Sequence, residues 1–176
     1  PGDGQADPIG VTNLLAKAAR KEGVKIFEKC PVEKILKKNG RVAGVKVNGQ
    51  TIECEYIVLA TGMWSRQIGK DMGFSIPLYP AEHFYVITEA INELPKNIPV
   101  LRDFNDSLYL KEDAGKMLIG IFEPKSIPAF RETNRVPGDF SYGEFPENFE
   151  HFEPFLEAAL KRVPILEKAG IRKFFS

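Results

Sequence analysis

The sequence predicts a mixed α/β (α+β) fold, in which a layer containing a β-meander precedes a larger antiparallel sheet. Three observations predict it. Asp7 and Pro8 introduce an amphipathic helix. Two Asn-Gly pairs, at 39–40 and 48–49, separate three short runs with alternating apolar residues, a strong local signal for hairpins. From about residue 76 to residue 123, alternating runs and turn residues follow one another, as in antiparallel sheets.

The first 75 residues divide into a helix, the meander and a buried strand. The helix runs from Pro8 to Gly23, a left-handed cap, and the run VKIFEK after it predicts a short strand. VEKILKK, RVAGVKV and QTIECE form the meander. The run YIVLA lacks alternation, which favours a strand covered on both faces, as in a parallel sheet. Ser65 then caps a helix that ends at Met72, with Gly73 closing it.

The second half reads as an antiparallel sheet followed by a helix. AEHFYVITEA predicts one strand, and VLRDFNDSLYLKEDAGKMLIGIFEP predicts three more separated by turns. A long proline-rich loop covers 124–146. A helix starts at Phe149 or Pro154, ends near Arg162 and carries His151 on its exposed side. The final GIRKFFS reads as a strand, and the opening PGDGQADP reads as the interior of a polypeptide. We therefore expect a piece of a longer protein.

Composition narrows the class of protein. The 24 basic residues balance 24 acidic ones, so neither nucleic acid nor an anionic membrane surface is expected as the main partner. No run of eighteen apolar residues occurs, so no membrane span is expected. Cys30 and Cys54 are too few for a disulfide framework and are predicted as buried thiols. With two histidines and no CxxC or HExxH motif, no metal site is expected.

The stretch ATGMWS, residues 60–65, is the first candidate binding site. In open α/β sheets, ligands bind beyond the carboxyl ends of the strands, and the run YIVLA ends here. Gly62 would let a cofactor approach the backbone, while a tight strand-to-helix corner is the alternative explanation. A GxGxxG phosphate loop is absent from the sequence, because in GDGQAD Asp7 replaces the third glycine and no strand precedes it.

The order of these motifs resembles the middle of D-amino-acid-oxidase-type flavoproteins, and more narrowly the dimethylglycine and sarcosine dehydrogenase family. The resemblance covers essentially the whole chain. It is carried by DGQADPIGVTNLLAKAARKEGVKI, ATGMWSRQIG, PAEHFYVITE, PVLRDFNDSLYLKE and LIGIFEP. It implies an FAD enzyme that oxidises N-methyl groups of glycine derivatives.

The resemblance also implies a domain organisation. Residues 1–75 would be a partial FAD-binding domain of three layers, without the Gly-rich loop. Residues 76–163 would be the substrate-binding antiparallel sheet and helix, and residues 164–176 would begin a return to the FAD domain. The chain alone is therefore expected to bind FAD weakly or not at all, and its partner would be the rest of its own polypeptide.

By the same resemblance, two segments contact the cofactor. Val32, in CPVEKI, would place its backbone against adenine, with a core valine as the alternative. Ala60, Thr61, Gly62 and Trp64 would lie near the pyrophosphate and the flavin.

The resemblance places His83 and Tyr109 in the active site, with a structural histidine and an ordinary strand aromatic as the alternatives. A histidine, whose usual pKa is about 6.5, can accept the amine proton near neutral pH. Arg102 is the candidate for the substrate carboxylate, because its guanidinium is a planar fork of donors; a surface arginine is the alternative.

Two functions from different classes follow. The first is oxidation of a methylated amine such as dimethylglycine or sarcosine, in the cytoplasm or, in a eukaryote, the mitochondrial matrix. Water or tetrahydrofolate would take the product, the latter through a region outside this chain. The second is a non-catalytic regulatory or interaction module with the same fold, since some relatives serve as regulatory subunits. Retention of both His83 and Tyr109 favours chemistry.

Overall fold

The computed structural model describes residues 6–176. The chain divides into two compact units, the first ending at Pro77 and the second running from Leu78 to Ser176. Among the described residues, the first unit contains a three-stranded antiparallel sheet and the second a five-stranded one, each accompanied by helices. The predicted mixed fold class is therefore confirmed.

Helix α1 spans Pro8–Lys21, as predicted. The carboxylate of Asp7 accepts hydrogen bonds from the backbone N–H groups of Ile9 and Gly10, at 3.1 and 3.0 Å. These bonds satisfy donors that a helix leaves without an internal partner. The chain leaves the helix through Gly23, whose φ of +86° lies in the left-handed region that favours glycine.

The meander forms as its two Asn-Gly pairs predict. Its strands are β1 (Val32–Lys38), β2 (Arg41–Val47) and β3 (Gln50–Glu53), paired antiparallel in that order. Asn39 and Gly40 have φ values of 53° and 76°, and Asn48 and Gly49 have values of 49° and 74°. Two successive positive φ angles are the signature of the type I′ turn, whose twist matches that of the strands it joins.

Two strand predictions in the first unit are wrong. The runs VKIFEK and YIVLA are irregular, and neither pairs with another strand among the described residues. Val58 is 89% exposed and Tyr56 is 82% exposed, so YIVLA is not covered on both faces. A strand exists only as part of a hydrogen-bonded ladder, and this part of the chain supplies no neighbour for either run.

Helix α2 spans Ser65–Met72 and follows a 3₁₀ turn over Gly62–Trp64. Gly73 closes it with a left-handed φ of 85°, as predicted. The assignment of Ser65 as the cap is wrong. Ser65 is the first helical residue, and its buried hydroxyl lies 2.9 Å from the Thr61 hydroxyl.

The second unit is built on a five-stranded antiparallel sheet. Its strands are β4 (Tyr85–Thr88), β5 (Leu101–Asp103), β6 (Leu108–Asp113), β7 (Lys116–Ile121) and β8 (Ile171–Phe175), in the order β5-β6-β7-β4-β8. The predicted succession of strands and turns is confirmed, including the final strand in GIRKFFS. Strand β8 pairs with β4 and so belongs to this sheet. The assignment of residues 164–176 to a return into a cofactor domain stays a prediction.

The apolar core of this unit lies between one face of the sheet and helix α3 (Phe149–Arg162). Every second residue of β4, β6 and β7 faces it, which is the period of a strand with one buried face. The main core residues are Phe84, Val86, Leu108, Leu110, Ile119, Ile121, Phe152, Ala159, Leu166 and Phe174. The opposite face of the sheet is therefore available for other functions.

Helix α3 begins at Phe149, the earlier of the two predicted starts. The Asn148 side chain caps it by accepting a hydrogen bond from the backbone N–H of His151 at 3.0 Å. The prediction that His151 is exposed is wrong. Its ring lies 5.4 Å from the ring of Phe84 and 6.1 Å from that of Phe155, because this side of the helix packs on the sheet.

Cys30 and Cys54, the cysteines of the first unit, are free thiols. Both are half-buried rather than fully buried.

Among residues 6–176, no helix combines the length and the apolar character needed to cross a bilayer. The same residues contain no group of three or more His, Cys, Asp or Glu side chains arranged to hold a metal ion.

Candidate active site

The corner at Gly62 in the first unit is open. Beyond the two chain neighbours of Gly62 and the backbone of its own 3₁₀ turn, no heavy atom of residues 6–176 lies within 4 Å of the position that a Cβ would occupy, and the φ of Gly62 is +52°. Ala60 is exposed, and Thr61 and Trp64 are half-buried. The left-handed φ by itself favours glycine. The space above the peptide is empty, as it is at the turn glycines Gly40 and Gly49, so it permits the close approach of a cofactor backbone without requiring one.

Val32 opens strand β1 and is 55% exposed, with Val47 as its partner on β2. The alternative of a core valine is therefore not what the structure contains. Its contact with adenine stays a prediction, as do the cofactor contacts of the corner.

In the second unit, the candidate residues lie on the sheet face opposite the core. Strand pairing places Arg102 opposite Tyr109, Tyr109 opposite Gly120, Gly120 opposite Tyr85 and Tyr85 opposite Phe175. Directly opposed residues of antiparallel strands present their side chains on the same face. The register thus builds one row across all five strands, with Arg102 at one end.

His83 and Tyr109, which are 26 residues apart in the sequence, meet on this face. Nε2 of His83 lies 3.3 Å from the Tyr109 hydroxyl oxygen. The two rings are nearly parallel, with an interplanar angle of 12° and centroids 6.1 Å apart. The His83 side chain is 48% exposed, so a small molecule can reach it.

Gly120 makes room for the tyrosine ring. A Cβ on Gly120 would lie 1.9 Å from Cζ and 2.3 Å from the hydroxyl oxygen of Tyr109. No side chain fits in that space, so the ring lies directly on the backbone of β7. This glycine therefore determines where the Tyr109 hydroxyl can be.

Glu123 is a third member of the cluster, and sequence reasoning missed it. Its Oε2 lies 2.9 Å from Nδ1 of His83, and its Oε1 accepts a hydrogen bond of 2.8 Å from the backbone N–H of Phe84. Its side chain is only 4% exposed. The sequence offered one signal for it, because Glu123 is a lone carboxylate directly after the apolar run MLIGIF. A carboxylate at such a position seldom becomes buried unless another group pairs with it.

The electrostatics of the three groups are coupled. The hydrogen bond to Glu123 raises the pKa of His83 above its usual value; burial opposes this, and the negative charge of Glu123 adds to it. Burial alone would raise the pKa of Glu123, but the hydrogen bonds from His83 and from the backbone lower it further than burial raises it. Burial raises the pKa of Tyr109, helped by Tyr85 and Glu123 and opposed by Arg102, so its hydroxyl keeps its proton near neutral pH.

Arg102 lies beside this cluster. Its guanidinium carbon is 5.8 Å from the centroid of the Phe122 ring, which in turn lies 5.2 Å from the Tyr109 ring. The next residue, Asp103, points the other way, is buried, and accepts a hydrogen bond from Nε of Arg162 at 2.8 Å. Within residues 6–176, no carboxylate lies at ion-pair distance from Arg102, which leaves its fork of donors for another acceptor.

Comparison with known proteins agrees with this architecture. The DAO family model, described as FAD dependent oxidoreductase, matches residues 1–176. The chain is 35% identical over 176 residues to a 4-methylaminobutanoate oxidase (formaldehyde-forming) of Paenarthrobacter nicotinovorans, covering 100% of this chain and 21% of that protein. It is 36% identical over 177 residues to human mitochondrial sarcosine dehydrogenase, covering 98% of this chain and 19% of the relative.

Two further matches bear on function and fold. A mouse mitochondrial pyruvate dehydrogenase phosphatase regulatory subunit is 34% identical over 98% of this chain and 20% of its own length. The solved L-proline dehydrogenase from P. horikoshii superposes with a TM-score of 0.76 at 28% identity, over 99% of this chain and 44% of that one. This chain spans about a fifth of the length of these curated relatives. It belongs to the DAO family of FAD-dependent oxidoreductases.

Proposed function

We propose that the protein to which this chain belongs oxidises N-methylated amino acids, such as sarcosine or dimethylglycine, with FAD as its cofactor. The observation that carries the proposal is the His83–Tyr109 pair on the open face of the second unit's sheet, with Arg102 opposite Tyr109. The relatives named for sarcosine and for 4-methylaminobutanoate support the substrate class.

His83 is the proton acceptor in this proposal. An amine loses hydride from its methyl carbon only when its nitrogen lone pair is free, so the bound ammonium must first give up a proton. Nε2 of His83 takes that proton, directly or across the Tyr109 hydroxyl at 3.3 Å. Since the pKa of Tyr109 is raised, its hydroxyl donates a hydrogen bond rather than carrying a negative charge.

Arg102 is assigned to the substrate carboxylate. A guanidinium binds a carboxylate through two parallel hydrogen bonds, which orients the substrate as well as attracting it. The rings of Phe122 and Phe104, 6.4 Å apart and nearly parallel, offer apolar surface next to this cation. This combination suits a small amino acid better than an amine without a carboxylate.

The first unit is assigned to the cofactor. The open backbone at Gly62 and the exposed start of β1 at Val32 would hold FAD, together with Ala60, Thr61 and Trp64. When bound, FAD supplies the acceptor for the hydride that leaves the methyl carbon. Transfer of the one-carbon product to tetrahydrofolate, and a location in the cytoplasm or mitochondrial matrix, belong to the same proposal.

The test is anaerobic mixing of the full-length protein with sarcosine, dimethylglycine and 4-methylaminobutanoate in a stopped-flow spectrometer. We expect at least one of them to bleach the absorbance band of oxidised flavin. Dimethylamine, which has no carboxylate, serves as the control and should act far more weakly. A flavin-loaded protein that none of the amino acids reduces would contradict the proposal.

Arg102→Met should raise KM for the amino acid substrate much more than it lowers kcat. Loss of one charged hydrogen-bonding partner costs about 1.5–3 kcal/mol, which is roughly 10- to 100-fold in kcat/KM. Initial rates over a range of substrate concentrations check this. Lys116→Met, a change of a cation on the same sheet at the far end of β7, is the control. Equal losses in both variants would remove Arg102 from substrate binding.

Gly120→Ala should lower kcat by about 10²-fold, because the new methyl group occupies the position of the Tyr109 ring and displacements near 1 Å can cost that much. Gly170→Ala is the matched control, since a Cβ at that position would meet no described heavy atom within 4 Å other than those of its chain neighbours. Steady-state turnover of both variants is the measurement. A fully active Gly120→Ala protein would show that the position of the Tyr109 hydroxyl does not matter.

The second candidate function is a regulatory module without chemistry. The observation that favours it is the similarity to the mouse regulatory subunit over nearly the whole chain. The amine-reduction experiment separates the two functions. A protein that binds FAD and yet is reduced by no methylated amine would favour regulation.

A further inference from the structure

We propose that Glu123 is a positioning residue, which holds His83 in the one tautomer whose Nε2 can accept the substrate proton. The proposal rests on the proposed function, because it concerns the same proton transfer. It adds a residue that the sequence motifs do not assign to the site. Three features of the described residues carry it: the chemistry of the donors, the burial of the carboxylate, and the charges around the imidazole.

The donors and acceptors determine the tautomer. A carboxylate can only accept hydrogen bonds, so the 2.9 Å contact between Oε2 of Glu123 and Nδ1 of His83 requires a proton on Nδ1. A neutral imidazole carries one proton, which leaves the lone pair on Nε2. That nitrogen lies 3.3 Å from the Tyr109 hydroxyl, which donates to it. The chain of bonds from Glu123 through His83 to Tyr109 thus has one consistent direction.

The position of the carboxylate is over-determined. Its second oxygen, Oε1, accepts the backbone N–H of Phe84 at 2.8 Å, and the Phe84 side chain is fully buried in the core. Glu123 itself follows β7, whose buried Ile121 ends the strand. With its side chain only 4% exposed, the carboxylate cannot swing away without losing both bonds. His83, adjacent to Phe84 in sequence, is therefore held at Nδ1 by Glu123 and at Nε2 by Tyr109.

Glu123 is also the anion that faces His83. Glu123 after β7 acts on the imidazole directly, and Tyr109 on β6 contacts its Nε2. Arg102 on β5 and Tyr85 on β4 act on Tyr109. Near neutral pH, Glu123 is the negative member of this set. It makes His83 a stronger base, so the rate of a step that needs neutral His83 rises at higher pH than it would with an ordinary histidine.

Glutamine at this position breaks the arrangement in a specific way. Its amide has one oxygen and one NH₂ group, whereas the site presents two N–H donors, from Phe84 and from His83. If the oxygen serves Phe84, the NH₂ faces Nδ1 and favours the wrong tautomer. If the oxygen serves Nδ1, two N–H groups face each other at Phe84. Aspartate keeps the charge and both acceptors, with a shorter reach.

The test uses the full-length protein as wild type, Glu123→Gln and Glu123→Asp. Glu144→Gln is the control, because Glu144 also pairs with a cation, Lys173, but does not contact His83. Diethyl pyrocarbonate acylates a histidine ring only when the ring is neutral, and mass spectrometry of the peptide carrying His83 gives the rate of His83 modification at each pH. Below the pH at which half of the wild-type His83 is neutral, His83 in Glu123→Gln should be modified roughly tenfold faster than in wild type. Tenfold is the scale of one lost charge-assisted hydrogen bond. Glu123→Asp should remain close to wild type.

The second measurement is the pH dependence of flavin reduction by the preferred amine. In Glu123→Gln its rise should move to lower pH, with a lower plateau, and Glu123→Asp should recover most of both. Identical His83 modification profiles in wild type and Glu123→Gln would overturn the proposal. If Glu123→Gln does not fold, the pH dependence of His83 modification in the wild type tests the proposal instead. A His83 midpoint at or below that of a histidine peptide would also overturn it. If modification shifts as expected but no amine reduces the flavin, the role of Glu123 stands and the proposed function fails.

Discussion

His83→Ala in the full-length protein is expected to slow flavin reduction at saturating amine by about 10²-fold or more. This is the usual scale for loss of a group that transfers a proton in the reaction. His83 is the described residue that combines a proton-accepting nitrogen, a buried anionic partner and access from outside. No neighbouring group can replace it, because Tyr109 keeps its proton and Glu123 is enclosed.

Stopped-flow reduction under anaerobic conditions is the measurement, with the rate followed against pH. The wild type should show a rise as His83 loses its proton, and the variant should lack that rise. Added imidazole should restore part of the rate by occupying the space that the side chain leaves. Tyr85→Phe is the control, because it alters a residue in the same row while keeping the ring. Unchanged reduction kinetics in His83→Ala would remove this residue from the mechanism.

The second large effect concerns stability. Phe152→Ala should lower the free energy of unfolding of the second unit by about 3–5 kcal/mol, the usual cost of removing a buried phenylalanine ring. Phe152 is fully buried on helix α3, and its ring lies 5.4 Å from that of Phe174 on β8. The loss combines the transfer of the ring to water with the cavity left under the sheet.

Urea unfolding followed by far-ultraviolet circular dichroism measures this change. Phe104→Ala is the matched control, because Phe104 is the same residue type but is 78% exposed. It should change stability by no more than about 0.5 kcal/mol, as surface substitutions generally do. Equal destabilisation by the two changes would mean that the core does not lie between α3 and the sheet.

Local elements were predictable because their causes lie within a few residues. The cap of Asp7 on α1 and the two Asn-Gly turns depend on hydrogen bonds and φ angles of adjacent residues. The alternation in β6 and β7 predicts which face is buried, because a strand repeats every two residues. The prediction of His83 and Tyr109 as active-site residues came from the family resemblance and stays a prediction, although the structure brings the two side chains together.

Longer-range features were not predictable in this way. The runs VKIFEK and YIVLA have strand composition, but a strand needs a neighbour, and pairing is a property of distant segments. The helix pattern predicted His151 on the exposed side of α3, yet the packing of α3 brings the His151 ring against Phe84. In each case the deciding contact joins residues far apart in the chain.

The sequence by itself determined the Asp7 cap of α1, the Gly73 end of α2, the two Asn-Gly turns and the alternation of β4, β6 and β7, and its motifs carried the family resemblance. Only the tertiary structure placed Glu123 against His83, 40 residues away, and laid the Tyr109 ring on the bare backbone of Gly120. These contacts follow from the register of β7 with β4 and with β6. The two-residue turn at Ala114 and Gly115 fixes the register of β6 with β7. Strand β4 is joined to β7 by a long connection, so their register depends on how the sheet packs on its core.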